Sequence, residues 1–138
     1  MVRIQNRIAL YTRLYKSFKK EERLHIESAT FLFENYPKAL WFHPPNEGKR
    51  RDWFEQVKLG LMGVRKGVPD FIVLEPNNQY NGLIIEAKMK YTYLSKAQKQ
   101  WKERLLERNY HFAEFRSINE FKEIVTEYFK TVPFEKYL

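Results

Sequence analysis

The stretch Gly67-Val68-Pro69-Asp70-Phe71-Ile72-Val73-Leu74-Glu75, continued through Pro76-Asn77-Asn78 and Asn81-Gly82 into Leu83-Ile84-Ile85-Glu86-Ala87-Lys88-Met89, decides the fold. Phe71 to Glu75 is apolar and rich in β-formers, the Pro and Asn-Gly groups are turn chemistry, and Leu83 to Met89 reads as a second strand. The segment is therefore predicted to be a β-hairpin, with Asp70 at the head of the first strand and Glu86 inside the second. Side chains alternate faces along a strand, so Ile84, Glu86 and Lys88 share one face, while Leu83, Ile85, Ala87 and Met89 share the other.

Two carboxylates and a lysine gathered in this way suit phosphodiester chemistry. Mg²⁺ takes oxygen ligands and is usually held by one or two carboxylates plus substrate phosphate, a role that fits Asp70 and Glu86. An ammonium beside the cation, here Lys88, orients water or balances the charge that grows in the transition state. Each element has a plainer reading: aspartate before a strand is often a turn residue, and Glu-x-Lys on a strand is often a solvated pair. Strand context on both sides and the Gly-x-Pro lead-in favour the chemical reading.

The chain of 138 residues is one domain by length, with 25 Lys and Arg against 17 Asp and Glu and a formal charge of +8. That excess favours an anionic partner, nucleic acid or a membrane surface. No apolar run approaches a membrane span and no signal-peptide core is present, so a soluble cytoplasmic protein is expected. The absence of cysteine excludes disulfides, a thiol nucleophile and cysteine-ligated zinc. The three histidines are scattered along the chain, which argues against a zinc site.

Ile4, Ile8, Tyr11, Tyr15 and Phe18 recur at helical spacing and predict an amphipathic helix within residues 1–20, its other faces basic. Packing on its own domain, on a second subunit or near nucleic acid all suit it. A second helix is predicted from Glu21 to Asn35, where Glu27 interrupts an apolar stripe. That carboxylate either reaches water at the stripe's edge or joins the metal site. Ala39 to His43 reads as a short strand, Pro44-Pro45-Asn46-Glu47-Gly48 as a loop before the basic run Lys49-Arg50-Arg51, and Asp52 to Met62 as a helix. Arg65 and Lys66, just before Asp70, are candidate phosphate contacts or simply a solvated pair.

Beyond the hairpin, Ser95 and Gln98 form a capping-box start, Ala97, Trp101 and Leu105 mark a buried face, and Asn109 stops the helix. Tyr110 to Phe115 is a strand that a crossover of this length sets parallel to the Glu86 strand. Ser117 and Glu120 open a last helix in the same manner. Gln98 has two readings, a partner of its cap or a side chain facing the metal site. Lys90, Lys96, Lys99, Tyr91 and Tyr93 surround that end, combining phosphate-binding cations with rings able to stack on bases, although the tyrosines also suit a core.

This order resembles the PD-(D/E)xK nuclease superfamily. Asn46-Glu47-Gly48, Gly63-x-Arg65-x-Gly67-Val68-Pro69-Asp70, Glu86-Ala87-Lys88 and Ser95-x-x-Gln98-x-x-Trp101 are similar to the virus-type replication-repair nuclease (VRR-NUC) family, over roughly Glu21 to Phe129. The resemblance implies an α/β fold with a restriction-endonuclease-like core, a mixed sheet flanked by helices, here with an extra N-terminal helix. Residues 1–20 form an extension, residues 21–138 the nuclease domain, and no appended module is expected. It further implies a Mg²⁺ or Mn²⁺ site at Glu27, Asp70, Glu86 and the Ala87 carbonyl, with Lys88 and Gln98 assisting, and no small-molecule cofactor. Small members resemble homodimeric Holliday-junction resolvases, so branched DNA is the expected substrate. Flaps, single strands, plain duplex, RNA, or a DNA-binding module that does not cut stay open alternatives.

Overall fold

A computed structural model describes residues 6–45 and 52–133. Asn46-Glu47-Gly48, the basic run Lys49 to Arg51, and Ile4 lie outside the described residues. The elements in order are α1 (Arg7–Leu14), a 3-10 turn (Tyr15–Ser17), α2 (Lys20–Asn35), β1 (Trp41–Phe42), α3 (Trp53–Leu61), β2 (Phe71–Val73), β3 (Leu83–Ala87), α4 (Lys96–Glu107), β4 (His111–Phe115) and α5 (Ile118–Phe129). No helix among the described residues is long and apolar enough to cross a membrane.

The four strands form one mixed sheet in the order β1-β2-β3-β4. The predicted hairpin is present: β2 and β3 are antiparallel, with Phe71 opposite Ile85 and Val73 opposite Leu83. β4 returns parallel to β3 through α4, with Leu83 opposite His111 and Ala87 opposite Phe115. The helix is needed because a parallel return cannot be made by a tight turn. Asn109, at φ 62°, terminates α4 in the left-handed conformation that asparagine tolerates, as its position predicts.

Both faces of the sheet are covered, and β3 is buried along its whole length. On one face Phe71, Val73, Leu83, Ile85, Ala87 and Phe115 pack with Leu24 and Leu32 of α2 and with Phe121, Val125, Tyr128 and Phe129 of α5. On the other, Ile84 and Phe112 are buried partners on neighbouring strands, and Lys102 of α4 lies over the Phe112 ring. The expected stripe Ala97, Trp101 and Leu105 is only partly buried.

Two local expectations change, and one helix shows an exposed apolar face. The N-terminal helix stops at Leu14, and after the 3-10 turn Phe18 and Lys19 are extended before α2 begins. This break lets α1 fold back on α2, where Arg23 donates to the Tyr15 carbonyl at 3.0 Å and its guanidinium lies 3.9 Å over the Tyr15 ring. At α5, Ser117 Oγ accepts from Glu120 N–H, but the Glu120 carboxylate takes its proton from Arg116 N–H, one residue before the cap. Finally, α3 begins on its Asp52 cap as read, yet Trp53, Phe54, Leu61 and Met62 are all strongly exposed.

Candidate functional site

The hairpin register builds the site. With Phe71 paired to Ile85, the next position outward sets Asp70 opposite Glu86, at the end of the sheet where β2 begins and β3 finishes. Asp70 takes the place of a ladder carbonyl: its Oδ2 accepts from the Ala87 N–H at 2.7 Å. One carboxylate oxygen is thereby fixed by backbone, and Oδ1 is turned toward His25 Nε2, 3.8 Å away.

Glu86 is 3% exposed, and its Oε2 is buried without a hydrogen-bond partner among the described residues. Burial raises its pKa from the ordinary 4.5 to about 8, and the adjoining Asp70 charge pushes the same way, against a smaller opposing pull from Lys88. An orphaned oxygen in a buried carboxylate pair is the environment a divalent cation would relieve, so the residues fit one.

Gln98 joins the parts. Its Nε2 donates to Glu86 Oε1 at 2.7 Å, while its Oε1 accepts from Lys88 Nζ at 2.7 Å and from the Ser95 N–H at 2.8 Å. The Gln98 N–H in turn donates to Ser95 Oγ. The two readings of this residue are thus a single arrangement: the reciprocal cap of α4 fixes the amide, and the amide spans carboxylate and ammonium. Gly67 brings α4 this close. At φ +76°, it has no room for a side chain, since a Cβ would lie 2.8 Å from the backbone carbon of Ala97.

Around this centre, Arg65 lies 4.9 Å over the Trp101 ring, and Trp101 Nε1 donates to the Lys66 carbonyl, tying the preceding loop to α4. Lys90, Lys96 and Lys99 are exposed, as are Tyr91 and Tyr93, at 77% and 75%. Tyr91 has φ 66°, a conformation that side chains seldom adopt, so the turn after β3 holds an exposed ring under backbone strain.

Glu27 is not brought to Asp70. Two residues along a helix is more than half a turn, so with His25 facing Asp70, Glu27 points away, accepting from the Tyr11 hydroxyl at 3.0 Å. Burial and this carboxylate raise the Tyr11 pKa to about 12, so the phenol remains a donor. Glu27 thus helps hold α1 on α2, and the α2 side chain that faces Asp70 is His25.

The scattered histidines are the second correction, for two of the three converge. His25 of α2 and His43 after β1 have ring centroids 5.0 Å apart, and one donor atom each from His25, His43 and Asp70 lies within 4.8 Å of the others. His43 Nδ1 donates to the Asp70 carbonyl. The strand register places it there: Trp41 opposite Val73 extends to His43 opposite Phe71, beside Asp70.

Comparison with known proteins agrees with this architecture. No curated protein sequence matches the chain. A solved structure of a VRR_NUC domain protein superposes with a TM-score of 0.57 at 22% identity, covering 96% of this chain and 92% of that one, which shows a shared fold. The sequence itself matches the VRR-NUC domain over residues 14–119, more than half its length. The chain therefore belongs to the VRR-NUC family and carries its nuclease domain.

Proposed function

We propose that this protein is a divalent-metal-dependent DNA endonuclease that hydrolyses phosphodiester bonds in branched DNA as a homodimer. The observation that carries the reading is the connected array at the sheet end, in which Asp70 is fixed by Ala87 and Gln98 links Glu86 to Lys88. Asp70 and Glu86 hold the cation with the Ala87 carbonyl. Once bound, Mg²⁺ or Mn²⁺ polarises the phosphoryl oxygen and makes a bound water more acidic. Lys88, held by Gln98 at a defined position, meets the charge that develops on the phosphate. Arg65, Lys66, Lys90, Lys96 and Lys99 take the flanking phosphates, and Tyr91 and Tyr93 offer rings for unpaired bases near a branch.

The dimer is supported by α3. Trp53, Phe54, Leu61 and Met62 are 76%, 68%, 85% and 73% exposed, an apolar display that soluble monomers rarely leave to water. Ile8 and Leu14 of α1 are exposed as well.

The test mixes purified protein with labelled four-way junction, flap, single-stranded and duplex DNA in Mg²⁺, Mn²⁺ or EDTA, with Glu86→Ala as control. Paired metal-dependent nicks at the junction centre, absent from the variant, are expected. Cutting confined to another structure would replace the substrate, and binding without cleavage would replace the activity.

A further inference from the structure

We propose that His25, His43 and Asp70 form a nitrogen-rich ligand set that takes a first-row transition-metal dication such as Mn²⁺, Co²⁺ or Zn²⁺ in preference to Mg²⁺. This inference rests on the metal-dependent reading above and specifies the ion that its centre selects.

The geometry has three parts. One donor atom from each of the three side chains lies within 4.8 Å of the others, a spacing that a single cation at ordinary ligand distances spans. The three come from three elements: α2, the segment after β1, and the entry to β2. The sheet register brings His43 beside Asp70, and α2 supplies His25 from outside the sheet. All are partly buried, shielded yet reachable by an ion.

Second, the ligands are already oriented by outer bonds of the type that metal sites use. His43 Nδ1–H is engaged with the Asp70 carbonyl, which fixes ring and tautomer and leaves Nε2 with its lone pair. The Asp70 carboxylate is held from behind by the Ala87 N–H on Oδ2, which aims Oδ1 at His25. Third, Glu86, 97% removed from solvent, adjoins Asp70 and keeps a buried oxygen that no donor among the described residues satisfies. A cation beside Asp70 would offset the negative charge that these two neighbouring carboxylates concentrate there.

The donor set then decides the metal. Imidazole suits zinc, copper, iron and nickel, whereas Mg²⁺ prefers carboxylate, carbonyl and water. Two imidazoles with one carboxylate, and another carboxylate alongside, therefore favour a borderline ion.

The experiment reads metal binding on the full chain without DNA. Mn²⁺ affinity is measured by the loss of its free-ion EPR signal, Mg²⁺ affinity by competition, and nitrogen coordination by pulsed EPR of the Mn²⁺ complex of the unsubstituted protein. Mn²⁺ binding at least about tenfold tighter than Mg²⁺, ¹⁴N couplings from two imidazoles, and at least about a tenfold loss of Mn²⁺ affinity in His43→Ala and His25→Ala are expected, given what even outer ligands contribute. Mg²⁺ affinity should change less than Mn²⁺ affinity in the same variants. Equal affinities, or a Mn²⁺ complex without nitrogen coupling, would overturn the inference, and the latter needs no variant to fold. Mn²⁺ bound through histidines in a protein that cuts no DNA would leave this inference standing and remove the proposed activity. Junction cleavage by a protein whose Mn²⁺ shows no nitrogen would do the reverse.

Discussion

Replacing Glu86 by Gln should stabilise the metal-free protein, and by an amount that grows with pH. The carboxyl is 3% exposed and lies against Asp70, and its pKa stands near 8 rather than the ordinary 4.5. Between these values the native state keeps a proton that the unfolded chain has released. Unfolding therefore releases protons, and stability falls as pH rises from about 4.5 through about 8. At ~1.4 kcal/mol per pKa unit, the gap corresponds to a few kcal/mol once pH exceeds 8, about half of it lost between pH 5 and 7. Glutamine does not titrate, and its carbonyl can still accept from Gln98 Nε2. The assay is urea unfolding of both proteins in EDTA at several pH values, followed by circular dichroism. Every other ionisable side chain is common to both proteins, so the difference between the two curves isolates Glu86. A difference that stays constant from pH 5 to 9 would refute the claim that this buried carboxyl holds its proton.

Lys88→Ala is expected to abolish cleavage while DNA binding persists, and wild-type cleavage rates in that variant would remove Lys88 from the chemistry. Gly67→Ala forces a side chain onto the Ala97 backbone at a positive φ. Its cost should be about 2–4 kcal/mol in chemical denaturation, together with loss of activity as the first turn of α4 moves. Glu27→Gln should retain cleavage, since its carboxylate faces Tyr11. Tyr11→Phe should lose about 1 kcal/mol of stability without changing metal affinity. Leu61→Glu with Met62→Lys should shift sedimentation at micromolar concentration from dimer to monomer; a wild-type protein already monomeric there would exclude the homodimer.

The hairpin was legible because its information is local. Alternation, the Asn-Gly turn and the Pro-Asp entry are all read within a few residues, and they set Asp70 against Glu86 before any tertiary contact is known. Gln98 was legible for a related reason: the capping box fixes its depth in α4, and the crossover returns that end of the helix to the end of β3. What the sequence did not yield is rotational and register information across elements. On α2, choosing His25 over Glu27 requires the phase of the helix relative to Asp70, and the apolar stripe leaves that uncertain, since Leu24 and Ser28 are buried and both candidates are only partly so. His43 depends on β1, a strand of two residues whose pairing with β2 no local pattern specifies. Both histidines therefore reach Asp70 through tertiary contacts, one by helix packing and one by strand pairing, that no motif specifies. The same dependence makes the site vulnerable at a distance: slipping β1 by one residue against β2 would carry His43 to the other face and break the ligand set while leaving every motif residue in place.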